Sequence, residues 1–200
     1  MIRLLSLLVL FLSINASAGQ ILVLGDSLSA GYQMPIEKAW PTLLPDELAK
    51  KGHQMRIING SISGDTTGNG LARLPALLQQ YNPEYVVIEL GANDGLRGFS
   101  PKLIQNNLIK LIDLSQDSGA KVILMQIQVP PNYGKRYTQA FEQVYPTVSK
   151  QKNTDLIPFF LTEIITNPDL MMEDGLHPTE QAQPWIAQFV AKQIDPILSL

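Results

Sequence analysis

A serine that is to act as a nucleophile needs a base to take its proton, and this chain offers two histidines. His53 follows the helix stop Lys50-Lys51-Gly52, a polar turn, and reads as solvated. His177 lies in Asp174-Gly175-Leu176-His177-Pro178. That spacing lets one short turn set a carboxylate against the imidazole Nδ1, so that the other ring nitrogen can face a hydroxyl. The hydroxyl best placed for it is Ser27, in Gly25-Asp26-Ser27-Leu28-Ser29. This turn follows an apolar run and precedes a helix start, where free N–H groups and the helix dipole favour developing negative charge. Ser27 alone could be a helix cap, and Asp174 with His177 alone a local turn hydrogen bond. Taken together they supply nucleophile, base and orienting group. The turn is not G-x-S-x-G, because position 29 is serine.

Acyl transfer also needs donors for an oxyanion. Gly60-Ser61-Ile62-Ser63-Gly64-Asp65 can offer the Gly64 amide, and Gly91-Ala92-Asn93-Asp94 the Asn93 side chain. The alternatives are that Gly64 only permits a turn and Asn93 only caps one. Asp26, Asp65 and Asp94 each sit in a separate turn block, and with no cysteine and one spare histidine they read as hydrogen-bonding turn backbone. No metal and no cofactor is expected.

The elements that must position these residues alternate along the chain. Short apolar runs predict strands at residues 20–24, 55–58, 85–90, 121–126 and 156–161. Helices are predicted at 40–51, 71–81, from Ser100-Pro101 onward, at 137–152 with a kink or split at Pro146, and from near Pro184 to about 197. Such alternation implies an α/β fold, a three-layer α/β/α sandwich with a five-stranded parallel sheet. Ligands then bind outside the carboxyl ends of the strands. The four chemical blocks fall in the loops that follow strands or in the turn before the last helix.

Four blocks in order resemble those of the SGNH, or GDSL, hydrolase family: GDSLSAGY at 25–32, NGSISGDT at 59–66, ELGANDGLRGF at 89–99 and EDGLHP at 173–178. The stretches GLARLPALL (70–78), LMQIQVPPNYGKRY (124–137) and HPTEQAQPWIA (177–187) extend the resemblance to a thioesterase, lysophospholipase and arylesterase branch. The resemblance implies a flavodoxin-like sheet and attack by Ser27. It also implies an oxyanion hole of the Ser27 and Gly64 amides with Asn93, and a segment after Asn93 that moves over an acyl chain. Leu96, Phe99 and Val129 are the substrate-binding candidates. Leu96 and Phe99 either form a mobile apolar cover or pack into the core; Met171 and Met172 either line an acyl groove or fill space.

Arg3, an apolar run over 4–14 and Ala16-Ser17-Ala18 read as a signal peptide of residues 1–18, cleaved after Ala18. The run is too short for a membrane span. Residues 19–200 then form one domain, periplasmic or secreted, with no stable membrane anchor. A formal charge of −3 with no basic run excludes a nucleic-acid partner. The expected partner is a small acyl ester or thioester, met by a monomer. A small-acyl carbohydrate esterase and a non-catalytic binding module on the same scaffold are the competing readings.

Overall fold

The computed structural model describes residues 19–199; the expected signal peptide lies outside them. The strands are β1 (Gly19–Gly25), β2 (Met55–Asn59), β3 (Tyr85–Glu89), β4 (Lys121–Met125) and β5 (Asp155–Ile157). All pairings are parallel, in the order β2-β1-β3-β4-β5. This is the flavodoxin-like order, with its switch point between β1 and β3. The helices are α1 (Ser27–Ala30), α2 (Trp40–Ala49), α3 (Thr67–Tyr81), α4 (Ala92–Leu96), α5 (Pro101–Asp117), α6 (Lys135–Glu142), α7 (Val144–Lys152) and α8 (Gln183–Leu198).

Alternate residues of each strand feed two cores. Ile21, Val23, Val87, Ile123 and Met125 pack with Trp40, Leu44 and Leu48 of α2 and Ile186, Val190 and Ile194 of α8. Leu22, Leu24, Val86, Ile88 and Leu124 pack with Leu74 and Leu78 of α3, Leu108 and Leu111 of α5 and Val148 of α7. Burial on both faces is why these strands are continuous apolar runs rather than alternating ones.

Four local expectations change. α3 starts at Thr67, four residues before the expected 71, because Thr66 and Asn69 form a capping box. The split expected in the helix at 137–152 is present but falls at Gln143, three residues before Pro146, and the first half starts at Lys135. The ring of Pro146 conflicts with the carbonyl four residues earlier, that of Glu142, and the Gln126 side-chain amide donates to this carbonyl at 3.4 Å. β5 ends at Ile157 rather than 161, since Pro158 has no N–H to continue a ladder. His53 is not simply solvated. α2 runs against α8, which brings the turn after α2 to Asp195, and His53 Nε2 lies 2.9 Å from its Oδ1.

Gly70 marks where α3 comes closest to the sheet. A Cβ there would collide with Cδ1 of the fully buried Leu90 and sit 3.6 Å from Leu24 Cδ2. Gly→Ala in a helix normally gains about 1 kcal/mol. Here overpacking, roughly 1–3 kcal/mol, exceeds that gain. Gly70→Ala is therefore expected to lower the urea midpoint; a rise would show that the helix–sheet contact is loose.

Candidate active site

The loops that leave the carboxyl ends of β1, β2 and β3 converge on one cavity of about 480 Å³, as does the turn before α8. β1 gives way at once to α1. Asp26 caps it, its carboxylate accepting the Leu28 amide at 3.1 Å, and Ser27 is the first helical residue. Across the cavity mouth His177 Nε2 lies 2.8 Å from Ser27 Oγ, and its Nδ1 2.6 Å from Asp174 Oδ2. Asp174 Oδ1 accepts the backbone amides of Leu176 (2.9 Å) and His177 (3.0 Å). Burial alone would raise the Asp174 carboxyl. The His177 amide and imidazole and the Leu176 amide outweigh it and hold the group below its ordinary value. The loop is closed on itself: Met171 bridges Pro178, and the Met172 amide donates to the His177 carbonyl at 2.7 Å.

Ser27, Gly64 and Asn93 all border the cavity. Among the described residues, neither the Ser27 nor the Gly64 backbone amide donates to another group. Gly64 holds φ +86°, a left-handed turn that favours glycine. Asn93 Nδ2 donates to Asp26 Oδ2 at 3.1 Å and to the Asp65 carbonyl at 3.0 Å, which fixes its amide at the cavity wall. One of those two hydrogens has to turn if Asn93 is to meet an oxyanion.

Two of the three turn aspartates have partners other than those expected. Only Asp26 bonds its own turn. Asp65 pairs with Arg73 Nε at 2.7 Å, and Arg73 also reaches the carbonyls of Gly60 and Gly25, tying the β1 and β2 loops together. Asp94 accepts the Thr67 amide at 2.8 Å and its hydroxyl, joining α4 to the start of α3. Beneath the nucleophile turn lies Glu89, for which the sequence suggested no role. Its Oε2 accepts the Ser29 hydroxyl at 2.7 Å and the Asp26 amide at 3.4 Å, while Oε1 is buried with no partner. Burial, with the nearby Asp26 charge added, pushes the Glu89 carboxyl well above its ordinary value. Burial raises Asp26 to about 7, against the lowering effect of the Leu28 amide and Asn93. It raises Asp94 as well.

The cavity wall is apolar. Leu96 and Val129 line it, with Leu28, Pro130, Pro131, Phe159, Leu161, Ile165 and Leu176, and among the described residues no acidic or basic side chain other than His177 does so. Phe159 and Leu161 were not singled out because residues 156–161 read as strand; the clue was Pro158. Ile165 lies just beyond that run and was not singled out either. Phe99 does not line the cavity. Its ring is partly exposed, and the segment is instead held through its carbonyl, which accepts the Tyr137 hydroxyl at 2.7 Å. Met171 packs into the α2–α8 core, and neither it nor Met172 borders the cavity.

Residues 23–183 match the model of the GDSL-like Lipase/Acylhydrolase family. The chain is 63% identical to a Vibrio mimicus protein named arylesterase, over 97% of this chain and 98% of that one. It is 47% identical to thioesterase 1/protease 1/lysophospholipase L1 of Escherichia coli (strain K12), over 92% and 87% of the two chains. Among solved structures it resembles the psychrotrophic esterase EstA from Pseudoalteromonas sp. The TM-score is 0.87 at 45% identity, covering 91% of this chain and all of that one.

The buried acids give stability a pH signature. A carboxyl raised by folding binds more protons folded than unfolded, so stability falls as pH climbs from the unfolded value through the folded one. For Asp26 that window runs from 3.8 to about 7, and Glu89 adds to it upward from 4.5. Glu89→Gln cannot ionise. Its urea midpoint is expected to improve relative to the parent as pH climbs above 4.5. A difference that is independent of pH would overturn the buried-acid account.

Proposed function

The chain belongs to the GDSL-like lipase/acylhydrolase family of serine hydrolases, and we propose that it hydrolyses acyl thioesters, lysophospholipids and aryl or fatty acyl esters through an acyl-enzyme. One observation carries this reading: the Ser27–His177 hydrogen bond of 2.8 Å opens onto an apolar cavity that Gly64 and Asn93 also border. The cavity volume is in the range that accommodates small-molecule ligands.

Ser27 is the nucleophile. As its Oγ bonds to the acyl carbon, its proton passes to His177 Nε2 and the carbonyl π pair moves onto oxygen. The Ser27 and Gly64 amides and the Asn93 side chain stabilise that oxygen. Asp174 keeps the imidazole in the tautomer that presents Nε2 to the serine. Collapse expels the alcohol or thiol, which leaves with the proton held by His177. Water, deprotonated by His177, then cleaves the acyl-enzyme, and the carboxylic acid departs. No cofactor enters.

The uncharged wall of Leu96, Val129, Phe159, Leu161 and Ile165 favours an acyl chain over a sugar, and so disfavours a small-acyl carbohydrate esterase. The complete set of reacting groups disfavours a binding module. The apolar run over 4–14 and Ala16-Ser17-Ala18 support export with cleavage after Ala18. The protein then acts in the periplasm or outside the cell, as a monomer and without a membrane anchor.

p-Nitrophenyl esters and acyl-CoAs of increasing chain length test the reading. kcat/KM is expected to rise about fourfold per added CH₂, from about 0.8 kcal/mol each, until the cavity is filled. Ser27→Ala is expected to abolish turnover with its fold intact. Asn93→Ala should lower kcat by about 10²–10³. Cleavage of acetyl esters alone would move the substrate class to small acyl groups, and full activity in Ser27→Ala would remove the mechanism.

A further inference from the structure

One face of the His177 imidazole is covered by the ring of Tyr32. The centroids are 4.1 Å apart and the planes 26° from parallel. Tyr32 borders the main cavity and also the small cleft behind it, formed with Met34 and Gln183. Among the described residues its hydroxyl engages only the exposed Gln33 amide, at 3.2 Å, so the ring face rather than the hydroxyl makes the contact.

The backbone is bent to bring this about. Gly31 ends α1 at φ +79° and Gln33 follows Tyr32 at φ +53°. Among the described residues, the other two non-glycine positive-φ positions are asparagines, Asn82 and Asn153, each closing a helix. Asparagine tolerates that conformation and glutamine does not share the tolerance. A strained backbone persists where its surroundings over-determine it, commonly beside a reacting group. Here it aims one aromatic ring at one histidine.

We propose that Tyr32 is a positioning residue of the reaction, whose ring holds the imidazole toward Ser27 and stabilises the imidazolium formed while His177 carries the serine proton. A cation over an aromatic face within about 6 Å is attracted by the ring quadrupole. The neutral imidazole gains only the weaker stacking, so the contact strengthens as the proton arrives, the property a transition-state interaction requires. Few other charges face His177. Asp174 stands on its own loop, Asp26 lies behind Ser27 and faces Leu28 and Asn93, and α8 presents the neutral Gln183.

The inference rests on the serine hydrolase mechanism, and its test reads the histidine both with and without turnover. The pH dependence of kcat/KM on a short p-nitrophenyl ester is compared for the parent, Tyr32→Phe and Tyr32→Leu. The His177 Cε1–H resonance is titrated in each. Tyr32→Phe keeps the ring and is expected to leave the acid limb and the titration in place. Tyr32→Leu is expected to move both to lower pH by about half a unit, about threefold in proton affinity, and to lower kcat with little change in KM. If Tyr32→Leu does not fold, phenylalanines of increasing ring fluorination at this position keep the shape and weaken the face, and the limb should fall stepwise. An unmoved limb and titration in Tyr32→Leu, a flat fluorination series, or an equal shift in Tyr32→Phe overturns the proposal. The titration needs no catalysis, so failure of the hydrolase mechanism itself would show separately, as activity retained by Ser27→Ala.

Discussion

β1 is paired on both sides by parallel strands, β2 and β3, and every other part of the site is arranged around that constraint. A strand locked on both edges and buried on both faces has no freedom at its end, so the turn that leaves it is fixed to the same degree. The loops after β2 and β3 flank that turn because their strands flank β1. Ser27, Gly64 and Asn93 border one cavity although 66 residues of chain separate the first from the last. The switch point between β1 and β3 opens the crevice, since the connections on its two sides cross to opposite faces of the sheet.

Rigidity at that turn is secured by buried polar groups. Glu89 anchors Ser29 and the Asp26 amide from below, Asp26 holds Asn93 from the side, and Arg73 ties neighbouring loops together. Buried carboxyl groups oppose folding when ionised. A core built for stability alone would replace them with apolar side chains. What they supply is direction: each fixes a donor or an acceptor at the cavity edge that hydrophobic packing could not orient.

Much of this was legible in the sequence. Continuous apolar runs placed all five strands and brought four of them close to their observed limits, since burial on both faces leaves an unmistakable composition. The spacing from Asp174 to His177 announced a hydrogen bond because the geometry is local. Contacts made by the tertiary fold alone were not legible. Nothing about Glu89, Tyr32 or His53 in the chain reveals that they meet Ser29, His177 and Asp195. Phe159, Leu161 and Ile165 were hidden for another reason. An apolar hexamer reads as strand, and the single proline that stops it leaves Phe159 and Leu161 on the cavity wall, with Ile165 just beyond. Phe99 misled in the opposite sense, as an apolar side chain in the right loop that faces away.

The groups proposed to react come from the two ends of the domain. Ser27 follows the first strand, and His177 precedes the last helix, which seats on α2 through Gln183 Oε1 accepting the Trp40 amide at 3.0 Å. Trp40 in turn donates its indole N–H to the Leu28 carbonyl at 3.1 Å, beside Ser27. The strands from β1 to β5 and the residues Ser27, Gly64 and Asn93 all precede Asp174 and His177 in the chain. A chain cut short between Ile157 and Asp174 would therefore carry every strand of the sheet and the serine, yet lack both the imidazole and the carboxylate that orients it.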